Sequence, residues 1–312
     1  MSCLELSNEY LWVNLGDQGA RVLDVQLREA HGPISVVCGY EAEQQYHDDT
    51  YYLGATVGPI ANRVRNGQFI LEGRNIQLPQ NHGQHCLHSG DIGVDSKYWS
   101  GKKINNSVVE YSLMPELAHL GFPTELTLLV RYTLDQAILR IEQIGTCSGP
   151  AYLNLTNHTY WNLNQDSKPI TNHSFELYAN ALATKDQDDI PTGQTQSVDN
   201  PFHLQLNQSS PIAEISQAVD HHFIVDETST ALKPFARITS PSSGVSMQVR
   251  STKPGFQLYS GHFLDTPLAP YSGFCVEPQY VPNAINLPQF KAPLTTSETP
   301  YHHTMEFEFT RS

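Results

Sequence analysis

The stretch from Asn154 to Leu163 carries residue types that acid–base chemistry needs. It reads Asn-Leu-Thr-Asn-His-Thr-Tyr-Trp-Asn-Leu, and its polar side chains recur at a period of two: Asn154, Thr156, His158 and Tyr160. This alternation predicts an extended strand whose polar face lines a cavity. His158 lies at the centre of that face and is a candidate general acid or base, because histidine titrates near neutral pH. A core histidine satisfied by neighbouring Asn and Thr groups is the structural alternative.

Glu277 is the second candidate, because its neighbours in the sequence favour an unusual carboxyl group. It follows the apolar residues Phe274, Cys275 and Val276, as expected for a strand that runs out of a core. Partial removal from water disfavours the charged form of a carboxyl group and raises its pKa toward values that suit a general base. We therefore expect Glu277 at a partly buried site.

Side chains that can hold hydroxyl or carbonyl oxygens lie in two other segments. Asn62 and Arg63 end the run Gly-Ala-Thr-Val-Gly-Pro-Ile-Ala-Asn-Arg, whose glycines permit tight turns and close ligand approach. Asp220 precedes His221 and His222 and is a candidate ligand for hydroxyl groups. The structural alternatives are an ordinary surface ion pair for Arg63 and a solvated loop position for Asp220. Neither a Gly-rich phosphate loop opening a helix nor a P-loop lysine is present.

Four potential metal ligands follow one another closely: His82, His85, Cys86 and His88. Imidazole and thiolate groups in close spacing suit zinc. In an extended turn these side chains would point apart, so we expect no metal site. The preferred interpretation is that His88 alone binds a ligand and that the other histidines belong to the turn.

The charge balance excludes several classes of partner. The chain has 312 residues with 18 Lys and Arg against 32 Asp and Glu, which gives a formal net charge of −14. Nucleic acids and anionic membranes need clustered basic residues, so we expect neither as a partner. No segment has the roughly 18 apolar residues of a membrane span, and the first residues lack a signal-peptide pattern. Five scattered cysteines without CxxC spacing fit a reducing compartment, and we predict a cytoplasmic protein.

Short strand-like runs separated by turn residues recur along the whole chain. They cover Tyr10–Leu15, Ala20–Leu27, Gln68–Leu71, Asn75–Leu78, Val108–Leu113, Glu125–Leu134, Ala137–Ile144, Phe175–Ala179, Ser246–Ser251, Gly255–Tyr259 and Met305–Phe309. This pattern predicts an all-β antiparallel sandwich or barrel. A weak helical pattern covers Ala213–Ala218. No linker-like stretch divides the chain, so we expect one domain over residues 1–312.

Six motifs in this chain occur in an order that resembles the aldose 1-epimerases, the galactose mutarotase family. They are Gly-x-x-Ala-Asn-Arg, Asn-x-x-x-x-x-Leu-His-x-Gly, Asn-Leu-Thr-Asn-His-Thr-Tyr-Trp-Asn-Leu, Ile-Pro-Thr-Gly, Asp-His-x-Phe and Cys-Val-Glu-Pro-Gln-x-x-Pro-x-Ala-Ile-Asn. The resemblance runs from about Gly54 to Phe309 and is most specific around His158 and Glu277. It implies a large antiparallel β-supersandwich of the galactose mutarotase type. The implied activity is interconversion of the α and β anomers of free aldoses by acid/base-catalysed ring opening and reclosure.

The resemblance also implies roles for individual residues, by their position in the motifs. His158 would be the general acid and Glu277 the general base. The sugar-binding residues would be Asn62, Arg63, His88, Asp220 and Gln257, and either Tyr160 or Trp161 could stack on the sugar. Only protons move in the implied reaction, so we expect no cofactor and no metal. The expected partner is a monosaccharide, and the sequence gives no expectation for the oligomeric state.

The sequence departs from the family pattern at three positions. Pro59 stands where an arginine often precedes the Asn-Arg pair, Ser89 replaces a glycine, and Asn283 replaces an aspartate. None of them is an expected acid, base or principal ligand, so they bear on sugar preference rather than on reaction type. Two other functions stay open. One is a non-catalytic carbohydrate-binding or regulatory protein on the same fold; the other is a hexose 6-phosphate mutarotase, which would need Arg65 and Arg74 near the cavity.

Overall fold

Strands alternate with turns and short 3-10 helices from one end of the chain to the other. The computed structural model describes residues 1–117, 120, 122, 125–165, 168–208 and 218–312. In chain order the strands are β1 (Cys3–Ser7), β2 (Leu11–Gly16), β3 (Arg21–Leu27), β4 (Ile34–Ser35), β5 (Thr56–Val57), β6 (Arg63–Val64), β7 (Gln68–Leu71), β8 (Arg74–Gln77), β9 (Cys86–Leu87), β10 (Ser100–Asn105), β11 (Val108–Leu113), β12 (Leu126–Asp135), β13 (Ile138–Cys147), β14 (Ala151–Tyr152), β15 (Thr156–Asn157), β16 (Ser174–Leu177), β17 (Ala181–Lys185), β18 (Pro191–Ser197), β19 (Phe202–Gln205), β20 (Asp220–Ile224), β21 (Lys233–Thr239), β22 (Val245–Ser251), β23 (Gly255–Tyr259), β24 (Cys275–Gln279), β25 (Leu294–Thr295) and β26 (Tyr301–Arg311). The described 3-10 helices cover Glu43–Asp48, Arg65–Gly67, Gly90–Ile92, Ile170–Asn172 and Ala284–Asn286.

Three antiparallel sheets make up most of the structure. The largest has nine strands in the order β10-β11-β12-β13-β26-β22-β21-β16-β19, and the second has five in the order β18-β17-β20-β23-β24. Strands β1 to β4 form a third sheet in sequence order. The predicted all-β antiparallel supersandwich is confirmed. Among the described residues, no helix is both long and apolar enough to cross a membrane.

Alternating burial explains why these segments form strands. In β12, Leu126, Leu128 and Val130 are buried while the residues between them are partly exposed, as expected when one face of a strand packs against a core. Buried side chains from Leu6 to Phe309 belong to one hydrophobic cluster. The two ends of the chain therefore contribute to the same core.

One strand prediction is wrong over most of its length. The stretch 154–163 pairs as a strand only at Thr156–Asn157, against Thr56–Val57, with isolated bridges at Asn154 and Trp161. Two of its polar side chains bond to backbone: the Asn154 Oδ1 accepts the Tyr280 N–H at 2.9 Å, and the Asn157 amide donates to the Gly54 carbonyl at 3.0 Å. His158 and Tyr160, from the predicted polar face, do line a cavity. The weak helical pattern at Ala213–Ala218 is not tested, because residues 213–217 lie outside the described residues.

Candidate active site

A cavity of about 250 Å³ lies at one end of the five-stranded sheet. The residues that line it come from the loop before β5, from β6 and β9, from the 154–163 segment and from β20, β23 and β24: Thr50, Tyr51, Tyr52, Asn62, Arg63, His82, Leu87, His88, His158, Tyr160, Asp220, Tyr259, Phe263 and Glu277. Six of the seven predicted site residues are in this set. The volume is below the range typical of drug-sized ligands and suits a smaller polar molecule.

The register of three strands places the acidic wall of the cavity. Gln257 of β23 pairs with Glu277 of β24, and Asp220 of β20 pairs with Tyr259. Residues two apart on a strand share a face, so Asp220, Gln257 and Glu277 project from the same side of the sheet. The Gln257 Nε2 donates to the Asp220 Oδ1 at 2.6 Å. Gln257 does not line the cavity and lies behind Asp220, which it holds in place.

Arg63 lies between two carboxylates. Its Nη1 lies 3.6 Å from the Asp220 Oδ2, and its Nη2 lies 3.7 Å from the Asp189 Oδ2. The arginine is 7% exposed, so the alternative of an ordinary surface ion pair does not describe it. Asp189 directly precedes the Ile-Pro-Thr-Gly motif, and it was not among the predicted site residues. Its pairing with Arg63 joins segments 126 residues apart, which no local pattern reveals.

His88 is held as a neutral hydrogen-bond donor. Its Nδ1 accepts the Asn62 N–H at 3.1 Å, so the neutral ring carries its hydrogen on Nε2. Burial, aided by the nearby His158 and Arg63 charges, holds the pKa of His88 well below its usual range. Asn62, His88 and Tyr52 all have positive φ angles, of 62°, 51° and 59°. Such conformations are uncommon outside glycine and here cluster around one cavity, as they often do at functional sites.

His158 and Glu277 face each other on the deeper wall. The His158 Nε2 lies 3.7 Å from the Glu277 Oε1, and the two side chains are 7% and 2% exposed. Burial lowers the pKa of His158 to about 4. Burial, reinforced by the charge of Asp220, raises the pKa of Glu277 well above its usual value, the direction expected from the sequence. Burial therefore favours a neutral imidazole beside a protonated carboxyl group.

Backbone hydrogen bonds with Gly54 and Ala55 fix the position of His158 in the cavity. The Gly54 N–H donates to the His158 carbonyl at 3.1 Å, and the His158 N–H donates to the Ala55 carbonyl at 2.9 Å. Gly54 has a φ of 70°, and a Cβ there would lie 1.9 Å from the Val22 carbonyl oxygen. Only glycine fits this close approach.

The aromatic residues divide between the cavity and the core. Tyr160 lines the cavity, whereas Trp161 is fully buried with its ring 4.7 Å from that of Phe307. Trp161 therefore cannot stack on a ligand. Tyr52 and Phe263 also line the cavity, although no sequence motif singled them out. Phe263 is 66% exposed, and a large exposed aromatic side chain cannot be recognised before the fold is known.

The histidine run does not gather into a metal site. The His85 Nδ1 accepts the Asn66 N–H at 3.0 Å, and its Nε2 lies 3.5 Å from Asp188. His82 lines the cavity and Cys86 is buried. Among the described residues, the one group of three His, Cys, Asp or Glu side chains with metal-ligand spacing is a different one: His158, Cys275 and Glu277.

The three departures from the family pattern lie outside the cavity lining. The Ser89 hydroxyl hydrogen bonds to both the N–H and the carbonyl of Ile60. The Asn283 Oδ1 accepts the Arg65 N–H at 3.1 Å. The Pro59 carbonyl accepts the Asn154 N–H at 2.8 Å. All three therefore support backbone that carries site residues.

Comparison with known proteins decides the family. A family model described as aldose 1-epimerase matches residues 2–308. The chain belongs to the aldose 1-epimerase family. It is 33% identical to a galactose mutarotase from Rattus norvegicus over 98% of this chain and 93% of that one, and 31% identical to an aldose 1-epimerase from Haemophilus influenzae over 98% and 95%. The crystal structure of an aldose epimerase homologue from C. elegans matches with a TM-score of 0.91 at 26% identity, covering 99% of both chains.

Proposed function

We propose that this member of the family interconverts the anomers of free aldoses such as galactose and glucose, with Glu277 and His158 as the proton-transfer pair. One observation carries the proposal: a buried carboxyl group and a buried imidazole lie 3.7 Å apart on one wall of a monosaccharide-sized cavity. A protein that only binds sugar has no need for such a pair. The names of the relatives, which include galactose mutarotase, make galactose the first sugar to test.

The reaction requires two coordinated proton transfers. Glu277 takes the proton of the C1 hydroxyl while His158 gives a proton to the ring oxygen, which opens the hemiacetal to an aldehyde. Rotation about C1–C2 exposes the other carbonyl face, and the reverse transfers close the ring. Opening leaves the proton on Glu277 and the imidazole neutral. Burial favours these products over the ionised carboxylate and protonated imidazole from which opening starts, and the same two pKa shifts make that starting charge state the minor one in the protein without sugar.

The other cavity residues supply orientation and charge stabilisation. The Arg63 guanidinium and the His88 Nε2–H are donors for oxygens on which negative charge develops. Asp220, fixed by Gln257 and Arg63, accepts from sugar hydroxyls and limits tumbling of the open chain. Asn62 sets the orientation of His88 through its backbone N–H.

The charges around the cavity favour a free sugar over a hexose 6-phosphate. Among the described lining residues only Arg63 carries a permanent positive charge, and two carboxylates already flank it. Arg65 pairs with Asp186, and Arg74 lies in the exposed β7–β8 hairpin. A phosphate dianion needs converging Arg and Lys side chains or a helix N-terminus.

Mutarotation followed by polarimetry tests the proposal. Freshly dissolved α-galactose and α-glucose should reach equilibrium faster with the protein than without it, and kcat/KM for glucose should exceed that for glucose 6-phosphate. A tenfold preference for the phosphate would establish the hexose-phosphate alternative. Sugar binding without any acceleration would establish the non-catalytic alternative.

We also infer that residues 1–312 form one domain in the cytoplasm. Support for one domain comes from the hydrophobic cluster that contains both Leu6 and Phe309. Support for the location comes from Cys3, Cys38, Cys86 and Cys275, which form no disulfide among the described residues, as expected in a reducing compartment. Limited proteolysis and fractionation of the source cells test the two inferences.

A further inference from the structure

Three adjacent buried side chains, two of which line the cavity, combine the ligand classes that zinc prefers. Cys275 and Glu277 lie two residues apart on β24 and so share a face. His158 reaches them from the other side, with its Nδ1 3.5 Å from the Cys275 Sγ and its Nε2 3.7 Å from the Glu277 Oε1. An ion binds only one of these two ring nitrogens; with one ligand atom taken from each residue, the three atoms lie within 4.8 Å of one another. The sugar chemistry described above uses His158 and Glu277 and leaves Cys275 without a task.

The spacing of these donors is close to that of a zinc site. Tetrahedral zinc, with bonds of about 2.0–2.1 Å to nitrogen or oxygen and about 2.3 Å to sulfur, holds its ligand atoms about 3.3–3.6 Å apart. Side-chain movements of about 1 Å would bring the three donors to that spacing. His158 and Glu277 line the cavity, which gives an ion a path inward and leaves a fourth position for water or a sugar oxygen.

We propose that His158, Cys275 and Glu277 form an inhibitory Zn²⁺ site within the candidate active site. The bound ion takes the lone pairs of the imidazole and carboxylate, so neither group can exchange a proton with a sugar. Coordination by the thiolate and the carboxylate releases the Cys275 and Glu277 protons to solvent, and no electron is transferred. Zinc inhibition is therefore reversed by a chelator and competes with sugar. The loss of activity rests on the proposed function, but the binding of the metal does not.

Cobalt provides a direct test, because a thiolate bound to Co²⁺ gives a ligand-to-metal charge-transfer band in the near ultraviolet. Three proteins are titrated with Co²⁺: the wild type, Cys275→Ala and Cys86→Ala. Cys86 is the matched control because it is also a buried free cysteine. It lies between His85 and His88, so this variant also shows whether that run contributes to the band. The band should appear in the wild type and in Cys86→Ala and be absent from Cys275→Ala. Removing a ligand should also raise the Zn²⁺ concentration for half-inhibition by about 100-fold or more.

A competition experiment needs no variant. Galactose at about 100 times its dissociation constant should weaken Co²⁺ binding to the wild type by about 100-fold, because both occupy the same cavity. The proposal is overturned if the wild type shows no thiolate band, if the band survives in Cys275→Ala, or if galactose leaves it unchanged. A band in a protein that does not accelerate mutarotation would refute the proposed function and leave the metal site standing. Accelerated mutarotation by a protein that gives no thiolate band would support the proposed function and refute the metal site.

Discussion

Replacing Glu277 by Gln should separate catalysis from stability. The amide keeps the size and shape of the side chain but cannot accept the C1 hydroxyl proton. Among the described residues that line the cavity, the other carboxylate is Asp220, and its oxygens are engaged by Gln257 and Arg63. Among the described lining residues, no second carboxylate is therefore available to take over. We therefore expect a loss of about 10³–10⁴ in kcat, or about 4–5.5 kcal/mol of barrier, at the upper end of what general base catalysis contributes.

The same substitution should leave the fold intact or stabilise it at pH 7. Burial raises the pKa of Glu277 above its unfolded value, so its contribution to stability is present below the unfolded pKa and is lost as the pH rises through the folded pKa. The Gln side chain removes the cost of keeping a carboxyl group protonated at a pH at which the unfolded chain ionises it. Polarimetry, corrected for spontaneous mutarotation, measures the rate, and urea unfolding measures the stability. A rate within tenfold of the wild type would refute the role of Glu277 as base. A rate loss accompanied by clear destabilisation would mean that misfolding, rather than chemistry, explains it.

Three further predictions concern the acid, the metal and pH. His158→Asn should lower kcat by about 10²–10⁴ with KM changed much less; an equal rise in KM and an unchanged kcat would assign His158 to binding. Exhaustive chelation should leave activity unchanged or raise it, because the proposed proton transfers need no Lewis acid; a loss that added zinc restores would contradict this. Burial lowers the pKa of His222 to about 3, so the unfolded state binds more protons than the native state between about pH 6.5 and 3, and stability falls as the pH falls through that window. From pH 7 to 4.5 the free energy of unfolding of the wild type should therefore drop by about 3 kcal/mol more than that of His222→Gln, and equal pH dependence would show that His222 is not buried in its neutral form.

The fold class could be predicted because its signals are local. Runs such as Val108–Leu113 and Gly255–Tyr259 have the predicted bounds, and the other predicted runs differ from the observed strands only at their ends, whereas strands such as β1, β10 and β21 were not predicted. The stretch 154–163 misled the prediction because polar residues at a period of two also arise where side chains satisfy buried loop backbone. Asn157 bonds both to Gly54 and to the Thr159 hydroxyl. Sequence periodicity cannot distinguish that role from a polar strand face.

The site residues could be found from motifs, but their arrangement could not. Gln257 matches a position implied to bind sugar, yet its amide donates to Asp220 and it lies behind the lining. The Arg63–Asp189 pair and the cavity wall formed by Phe263 depend on how distant loops meet. These are tertiary relations, and nothing within a short window of sequence encodes them.

The distance between the proposed acid and base is set by backbone contacts outside the cavity. Trp161 lies three residues after His158, and Phe274 lies three residues before Glu277. The two exchange backbone hydrogen bonds, from the Trp161 N–H to the Phe274 carbonyl at 2.7 Å and from the Phe274 N–H to the Trp161 carbonyl at 2.9 Å. Both side chains are fully buried. Core packing therefore fixes the register of these segments, and the register brings the imidazole to the carboxyl group. This explains why the motif around His158 includes a tryptophan that never reaches the cavity.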